Sequence, residues 1–498
     1  MPTSIVTTNQ TTTQSLNTHD VWALLDGASL TTLRSKAIVT TGPTVSNIDL
    51  HIAGDIVAEF SAVDLRSESI GDGTGSGLHD INVSETGSVV SLTYDAISLK
   101  GVNNILTNYG TITALTSDSM AVFNFGDEFS LNNHGTITGG RGVFLSASLG
   151  SPTSYVNNSG HIQGETRAIV NFTQLILENS GSIIASANDG TSIGIESRND
   201  IAAGDFTGSE INNTGVISGQ SASVVFYGKD NLLINSGQLF GDAIFADGND
   251  TFDGRGGTID GTVFGGDGND VYIVDDSFAN LSENISEGTD TVQSSVGWKL
   301  GDNFEDLTLI GQDNAHGIGN ELANVITGND ADNRLRGRAA NDVLEGGDGN
   351  DEMRGGKGND ILLGGMGDDI LRGNTGRDIL DGGDGYDRLI SGKGRDVMTG
   401  GEDEDVFVFN RLNHSAPGLE ADKVRDFAAG VDQIDFSGLN MGLSFIGTEA
   451  FTNTAGEVRL RVTATKTSVR VDADGDGVAD LRVELSGASG LEASDFIL

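Results

Sequence analysis

From residue 328 onward the chain repeats itself every nine residues. Blocks begin at Gly328, Gly337, Gly346, Gly355, Gly364, Gly373, Gly382, Ser391 and Gly400. Four in one register read GGDGNDEMR from 346, GGKGNDILL from 355, GGMGDDILR from 364 and GGDGYDRLI from 382. Position eight is apolar throughout: Leu335, Leu344, Met353, Leu362, Leu371, Leu380, Leu389, Met398 and Phe407. Position six is Asp342, Asp351, Asp360, Asp369, Asp378, Asp387, Asp396 or Asp405, with Asn333 the one departure. A fixed short period means one small unit that buries its apolar side chain by stacking on copies of itself. Each block reads as a six-residue turn and a three-residue strand whose middle side chain points inward, into a thin core between two sheets. Two blocks then complete one coil, and turns two blocks apart stack on the same edge. One more full copy, GGDGNDVYI, stands apart at 265, and Asp247-Gly-Asn-Asp250 begins a shorter one.

A second period occupies residues 80–260. Asn-x-Gly-x-Ile recurs at Asn108–Ile112, Asn133–Ile137, Asn158–Ile162, Asn179–Ile183 and Asn213–Ile217, and as Asn235–Leu239. Successive glycines from 87 to 257 lie 23, 25, 25, 21, 34, 22 and 20 residues apart. That spacing suits one β-solenoid coil per copy, with an insertion in one coil. Gly at each corner is expected to supply a left-handed backbone, the Ile two residues on to point inward, and the Asn side chains to stack as a ladder. The expected class is all-β: an N-terminal β-solenoid, β-helix-like, followed by a parallel β-roll and a C-terminal β cap. The expected divisions are 1–79, an N-terminal β region; 80–260, the solenoid; 261–327, the isolated copy and a connecting β region; 328–408, the roll; and 409–498, the cap.

Composition narrows the chemistry. With 72 acidic and 28 basic side chains the net charge is −44, which argues against nucleic acid or an anionic membrane as partner. The 72 Gly come with 4 Pro and no G-X-Y period, so this is not collagen, and with no Cys there are no thiolate metal sites. The charge is uneven. Residues 1–240 hold 22 acids and 8 bases, net −14; residues 241–498 hold 50 and 20, net −30. Carboxylates stacked about 4.8 Å apart repel by about 1 kcal/mol per pair in water and about 3.5 kcal/mol at an effective dielectric near 20. A cation between stacked turns reverses that sign. Carboxylate and carbonyl oxygens, without His or Cys, favour Ca2+ over Zn2+ or Mg2+.

The nonamer G-G-x-G-x-D-x-U-x resembles the RTX repeat, and residues 328–408 resemble an RTX parallel β-roll. The resemblance implies several Ca2+ ions, each held by position-six Asp side chains and turn carbonyls of two stacked turns. Gly346–Asp351 would share an ion with Gly364–Asp369, Gly355–Asp360 with Gly373–Asp378, and Gly364–Asp369 with Gly382–Asp387. Asp348, Asp384, Asp342, Asp396 and Asp405, with Asp250 and Asp270 of the separate copies, complete the expected set. The blocks at 328, 337 and 400 depart from the pattern. Asp405-Val-Phe-Val-Phe409, Asp426-Phe427 and Ile434-Asp435-Phe436-Ser437 resemble the segment that follows the roll in serralysin-type proteases. Leu491–Leu498 resembles an uncleaved type I secretion signal, with an edge strand closing the cap as the other reading. Residues 1–33 contain no Lys or Arg and no apolar run, so no Sec-type leader is expected. No stretch reaches transmembrane length. Asp472-Ala-Asp474-Gly-Asp476-Gly477 resembles an EF-hand-like loop, yet Val483 holds its twelfth position; a hairpin turn is expected there.

Catalytic motifs are sparse. None of the seven His sits in HExxH, so the serralysin resemblance does not extend to a protease. Gly190-Thr-Ser192-Ile-Gly194 lacks the strand and helix of a nucleophile elbow, and His134 and His161 read as corner variation. Arg141 and Arg167 lie 26 residues apart, close enough to stack. The expected protein is extracellular, exported by the type I apparatus of a Gram-negative cell and folded there by Ca2+. It is read as an adhesin-like or matrix protein with a cell-surface or polysaccharide ligand; the alternative is a polysaccharide lyase or epimerase using the solenoid.

Overall fold

The computed structural model describes residues 4–6, 14–16, 21–24, 28–32, 37–40, 48–65, 79–146, 153–198, 208–277, 279–417, 421–463 and 466–498. The fold is all-β, and two compact units divide it: Met1–Ile273 with Ala279–Glu283, and Val274–Phe278 with Asn284–Leu498.

The first unit is a parallel β-solenoid. Three in-register columns enclose its core. One runs Val89, Ile112, Ile137, Ile162, Ile183, Ile217, Leu239. A second runs Ile81, Leu106, Leu131, Val156, Leu177, Ile211, Leu233, Phe252. The third runs Val122, Val143, Ile169, Ile195, Val224, Ala243, Val263. All are buried. Strands alternate buried and outward residues because successive side chains point to opposite faces, as in Phe129–Asn133.

The Asn residues form the expected ladder. The Nδ2 of Asn108, Asn133, Asn158, Asn179 and Asn213 each donates to the Oδ1 of the Asn one coil on, at 2.7–2.8 Å, ending on Asn235. The corner glycines differ from expectation. Gly110, Gly135, Gly160, Gly181, Gly215 and Gly237 are not among the left-handed residues. A Cβ on Gly135 would instead collide with the carbonyl oxygen of Gly110 in the coil beneath, and the other corners repeat that contact. Close stacking, rather than backbone sign, excludes a side chain there. The long 181–215 coil carries residues 199–207, which lie outside the described residues.

The second unit holds two parallel ladders. One contains Thr291–Ser294, Asp306–Leu309, Val325–Thr327, Val343–Asp348, Ile361–Met366, Ile379–Asp384, Val397–Glu402 and Asp422–Val424. The other contains Trp298–Lys299, His316–Ile318, Arg334–Ala339, Glu352–Lys357, Ile370–Thr375, Arg388–Lys393, Val406–Val408 and Gln433–Asp435. Pairing is eighteen residues apart through the nonamers, as in Leu344 with Leu362, so two blocks do make one coil. The ladders reach back to Thr291. Strands are six residues long, not three, because positions one to three of each following block continue the strand; the turn proper is three residues. Every position-eight side chain from Leu335 to Phe407 is 0% exposed. The cap adds an antiparallel meander of Glu457–Val462, Lys466–Asp472 and Leu481–Ser486. Phe496–Ile497 closes it as an edge strand beside Gln433–Asp435.

Candidate metal centre

The roll's three-residue turns are possible because positions two and four adopt a backbone that L side chains avoid: Gly347 has φ +113 and Gly349 has φ +101. The degenerate blocks keep these conformations without glycine, at Arg338 (φ +91), Ala340 (φ +70), Asn374 (φ +78) and Asp403 (φ +76). The tight turn folds the position-six carboxylate under its own block, so all eight Asp are buried.

They form two columns. The Oδ1 of Asp342, Asp360, Asp378 and Asp396 accepts the backbone N–H of Asn324, Asp342, Asp360 and Asp378 respectively, at 2.8–3.0 Å. The Oδ1 of Asp351, Asp369, Asp387 and Asp405 does the same for Asn333, Asp351, Asp369 and Asp387, at 2.6–3.0 Å. The second oxygen differs. In all eight, Oδ2 is buried and has no hydrogen-bond partner. It faces position one: a Cβ on Gly346 would fall onto Asp351 Oδ2 and the Gly364 carbonyl oxygen, and one on Gly364 onto Asp369 Oδ2 and the Gly382 carbonyl oxygen. Each such cradle therefore holds an orphaned carboxylate oxygen and a carbonyl from the turn two blocks on.

Burial pushes these carboxyls up despite the opposing N–H bonds. Asp378 rises to about 8. Asp342, Asp351, Asp369 and Asp405 rise to about 7. Asp387 and Asp396 rise to about 6, and Asp360 is raised as well. Buried, half-satisfied carboxylates are costly as anions. The oxygen-only donor set, its spacing and its orphaned atoms fit Ca2+.

Both columns end in groups whose side-chain oxygens have hydrogen-bond partners. At their starts stand Asn324 and Asn333, whose Oδ1 atoms accept the N–H of Asn320 and Asn329. At their ends stand Asp422 and Asp432. Asp422 Oδ1 takes the Asp396 N–H and its Oδ2 the Ser391 hydroxyl; Asp432 takes the N–H groups of Asp405 and Ala428. None of the four belongs to the metal set expected from the sequence, and Asn333 enters there only as the departure from Asp at position six. Asn324 does carry a signal, since Gly319–Thr327 keeps the nonamer phase with Asn at position six. Asp422 has none, being 26 residues from its neighbour rather than eighteen.

Asp348 and Asp384 lie apart from the columns, on one line of the ladder with Met366 between them, and Asp384 is exposed. Asp250 and Asp270 stack in the solenoid unit: Asp250 Oδ1 accepts the Asn231 N–H, and Asp270 Oδ1 accepts the Asp250 N–H at 2.7 Å. Burial pushes Asp250 up to about 7. The Asp472–Asp476 loop is a hairpin turn between antiparallel strands, its Asp472 oxygens taken by the N–H groups of Gly475 and Gly477.

In the solenoid Ser192 is buried, and its hydroxyl accepts the Gln220 N–H at 2.9 Å. His134 and His161 each meet the serine of the next coil, Ser159 and Ser182, at 2.7 Å rather than each other. Arg141 and Arg167 are in register on adjacent strands. They line a cleft of about 600 Å³ with Phe144, Phe172 and Glu196. Glu196 is 5% exposed, bonded to Arg167 Nε at 2.6 Å and ion-paired with Arg198. Among the described residues no helix is long and apolar enough to cross a membrane.

The family described as peptidase M10 serralysin C terminal matches residues 199–498. The metallopeptidase AprA of Pseudomonas marginalis is 41% identical over 83 residues, 16% of this chain and 17% of AprA. The endo-1,3-1,4-beta-glycanase EglC of Rhizobium meliloti (strain 1021) is 35% identical over 71 residues, 14% of this chain and 15% of EglC. The chain thus spans 15–17% of the length of these curated relatives. The solution structure of the AlgE6R3 subunit from the Azotobacter vinelandii mannuronan C5-epimerase is 31% identical, covering 28% of this chain and 77% of that one, with a TM-score of 0.23.

Proposed function

The chain belongs to the serralysin C-terminal family, and from that membership and the two carboxylate columns we propose a secreted protein whose roll folds when it binds Ca2+. The observation that carries this reading is the set of eight buried Asp with an orphaned Oδ2. At low Ca2+ inside the cell, folding would force the carboxylates into mutual repulsion and out of water, so the roll stays unfolded and exportable. Outside, binding free energy becomes folding free energy. The residues that hold the ions are the position-six Asp and the position-one carbonyls, with Asp250 and Asp270 as a smaller site. Bound Ca2+ supplies charge neutralisation only; the chain supplies the stacked turns. Circular dichroism tests this: adding Ca2+ to the metal-free chain should raise the β signal by the share of residues 328–408, and EGTA should remove that gain. A signal indifferent to EGTA contradicts it.

Export runs through a type I apparatus, with the C-terminal segment as its signal. Removing residues 439–498 should abolish secretion, and undiminished export would overturn this assignment. The solenoid serves as an adhesin-like or matrix-binding surface. The cleft around Glu196 favours a second reading, a carbohydrate-active enzyme, because an anion gripped by two Arg beside aromatic rings suits a sugar. Incubating the full chain with uronate polymers separates the two: unsaturated or C5-inverted residues in the polymer mean an enzyme, and a polymer left chemically unchanged means an adhesin.

A further inference from the structure

One face of the roll contradicts the charge of the rest of the molecule. A cleft of about 1180 Å³ is lined by eight Lys and Arg side chains and no carboxylate, in a chain with 28 basic residues and a net charge of −44. The nonamer period conceals it. Position nine is basic only in alternate blocks, at Arg336, Arg354 and Arg372, and alternate blocks build one sheet. The opposite sheet carries Glu345, Leu363, Asp381 and Thr399 at the same position.

Arg336, Arg354 and Arg372 are in register on three adjacent strands, so like charges repeat about every 4.8 Å along the cleft. Lys357 and Lys393 follow on the same sheet, separated by Thr375. Arg372 shares Glu352 at 3.0 Å. Arg338 pairs with Glu321 and Arg388 with Asp435; Arg336 is attracted to Glu352 without an ion pair, and among the described residues Arg354, Lys357 and Lys393 have no carboxylate ion pair. His414 also lines the cleft; it is 8% exposed, and its Nδ1 has no hydrogen-bond partner. Exposed cations without an ion pair beside a buried imidazole with an unpartnered Nδ1 make a surface suited to an anion.

We infer that this cleft binds a linear anionic polysaccharide, running along the Arg336–Arg354–Arg372 row. The strand repeat is of the order of one sugar ring in an extended chain, so successive acid groups can meet successive guanidinium groups, which bind carboxylate and sulfate bidentately. A single extended chain fits where a wide anionic surface does not. A membrane or a nucleic-acid duplex would also meet the acidic turns that border the sheet, whereas charges beyond about 8 Å are screened at physiological salt. This site is distinct from the solenoid and does not depend on what the solenoid binds.

The test uses the full chain with Ca2+ bound. It is titrated calorimetrically with a decameric polyuronate, a sulfated glycosaminoglycan decamer, neutral dextran, an oligonucleotide and anionic phospholipid vesicles. One or both anionic glycans should bind, with affinity falling roughly tenfold or more from 50 to 200 mM salt. The tighter of the two identifies a carboxylated or a sulfated ligand. Arg336→Gln/Arg354→Gln/Arg372→Gln should weaken binding at least tenfold while leaving the Ca2+-induced circular dichroism unchanged. If that variant loses the Ca2+ response, the exposed pair Lys357→Gln/Lys393→Gln should still weaken binding several-fold. The inference is overturned if neither glycan binds, if dextran binds as well, if the folded variants bind like the parent, or if the oligonucleotide or vesicles bind more tightly than both glycans.

Discussion

The position-six Asp carries opposite instructions in the two states of the roll. Without metal its orphaned Oδ2 favours protonation; with Ca2+ the same atom must be ionised. Asn mimics the protonated form, and the chain already uses Asn324 and Asn333 where each column starts. Asp369→Asn should therefore raise the β signal in EGTA and lower the number of ions bound, both measurable by circular dichroism and calorimetry. For Asp369, held at about 7, each unit above the unfolded value corresponds to about 1.4 kcal/mol. Loss of β signal in EGTA would contradict this. A separate residue effect concerns Ala340, left-handed at φ +70 where the full repeat has Gly. Ala340→Gly should stabilise the Ca2+-loaded roll by roughly 0.5–1 kcal/mol. Gly358→Ala should destabilise it by ~2 kcal/mol or more, since its Cβ would run into the Ala340 carbonyl oxygen. Thermal melting distinguishes the two.

At the scale of elements, the Asn ladder holds the solenoid's corner as the Asp columns hold the roll's, but with neutral groups. Asn158→Ala takes away one of three acceptors of Asn133 Nδ2 and strands Asn179 Oδ1, at about 1–3 kcal/mol for the stranded group. Urea unfolding should show the solenoid transition lowered by that order while the Ca2+ midpoint of the roll stays put. Both ladders were legible in the sequence, because a strict period and a single polar residue type at one phase leave one way to stack. Strand length was not, since glycine at positions one and two gives no strand propensity and is drawn into the ladder only by its neighbour two blocks away. The corner glycines were assigned the wrong physical cause for the same reason: the constraint comes from the coil beneath, which local sequence does not display. The closing residue Asp422 and the basic row escaped because one breaks the nine-residue count and the other obeys a count of eighteen.

For the whole molecule the carboxyl shifts fix a pH dependence. Folded-state values of about 6 to 8 exceed the unfolded value of 3.8. The metal-free roll is accordingly stabilised at pH below about 4 and loses that stabilisation as pH rises through 6 to 8. In EGTA, the β signal contributed by the roll should be present at pH 4 and absent at pH 8, above a constant contribution from the solenoid. With Ca2+ the order reverses, because protons then compete with the ion. On the proposed reading the eight position-six Asp are a switch rather than a solubility device.

The central claim is that Ca2+ decides whether the roll exists, and amide hydrogen exchange along the full chain at pH 7.5 tests it most directly. With Ca2+, amides of 334–408 should be as protected as those of 104–244. In EGTA, protection of 334–408 should vanish while the Asn-laddered solenoid keeps its own. Equal protection of 334–408 in both conditions would contradict the account.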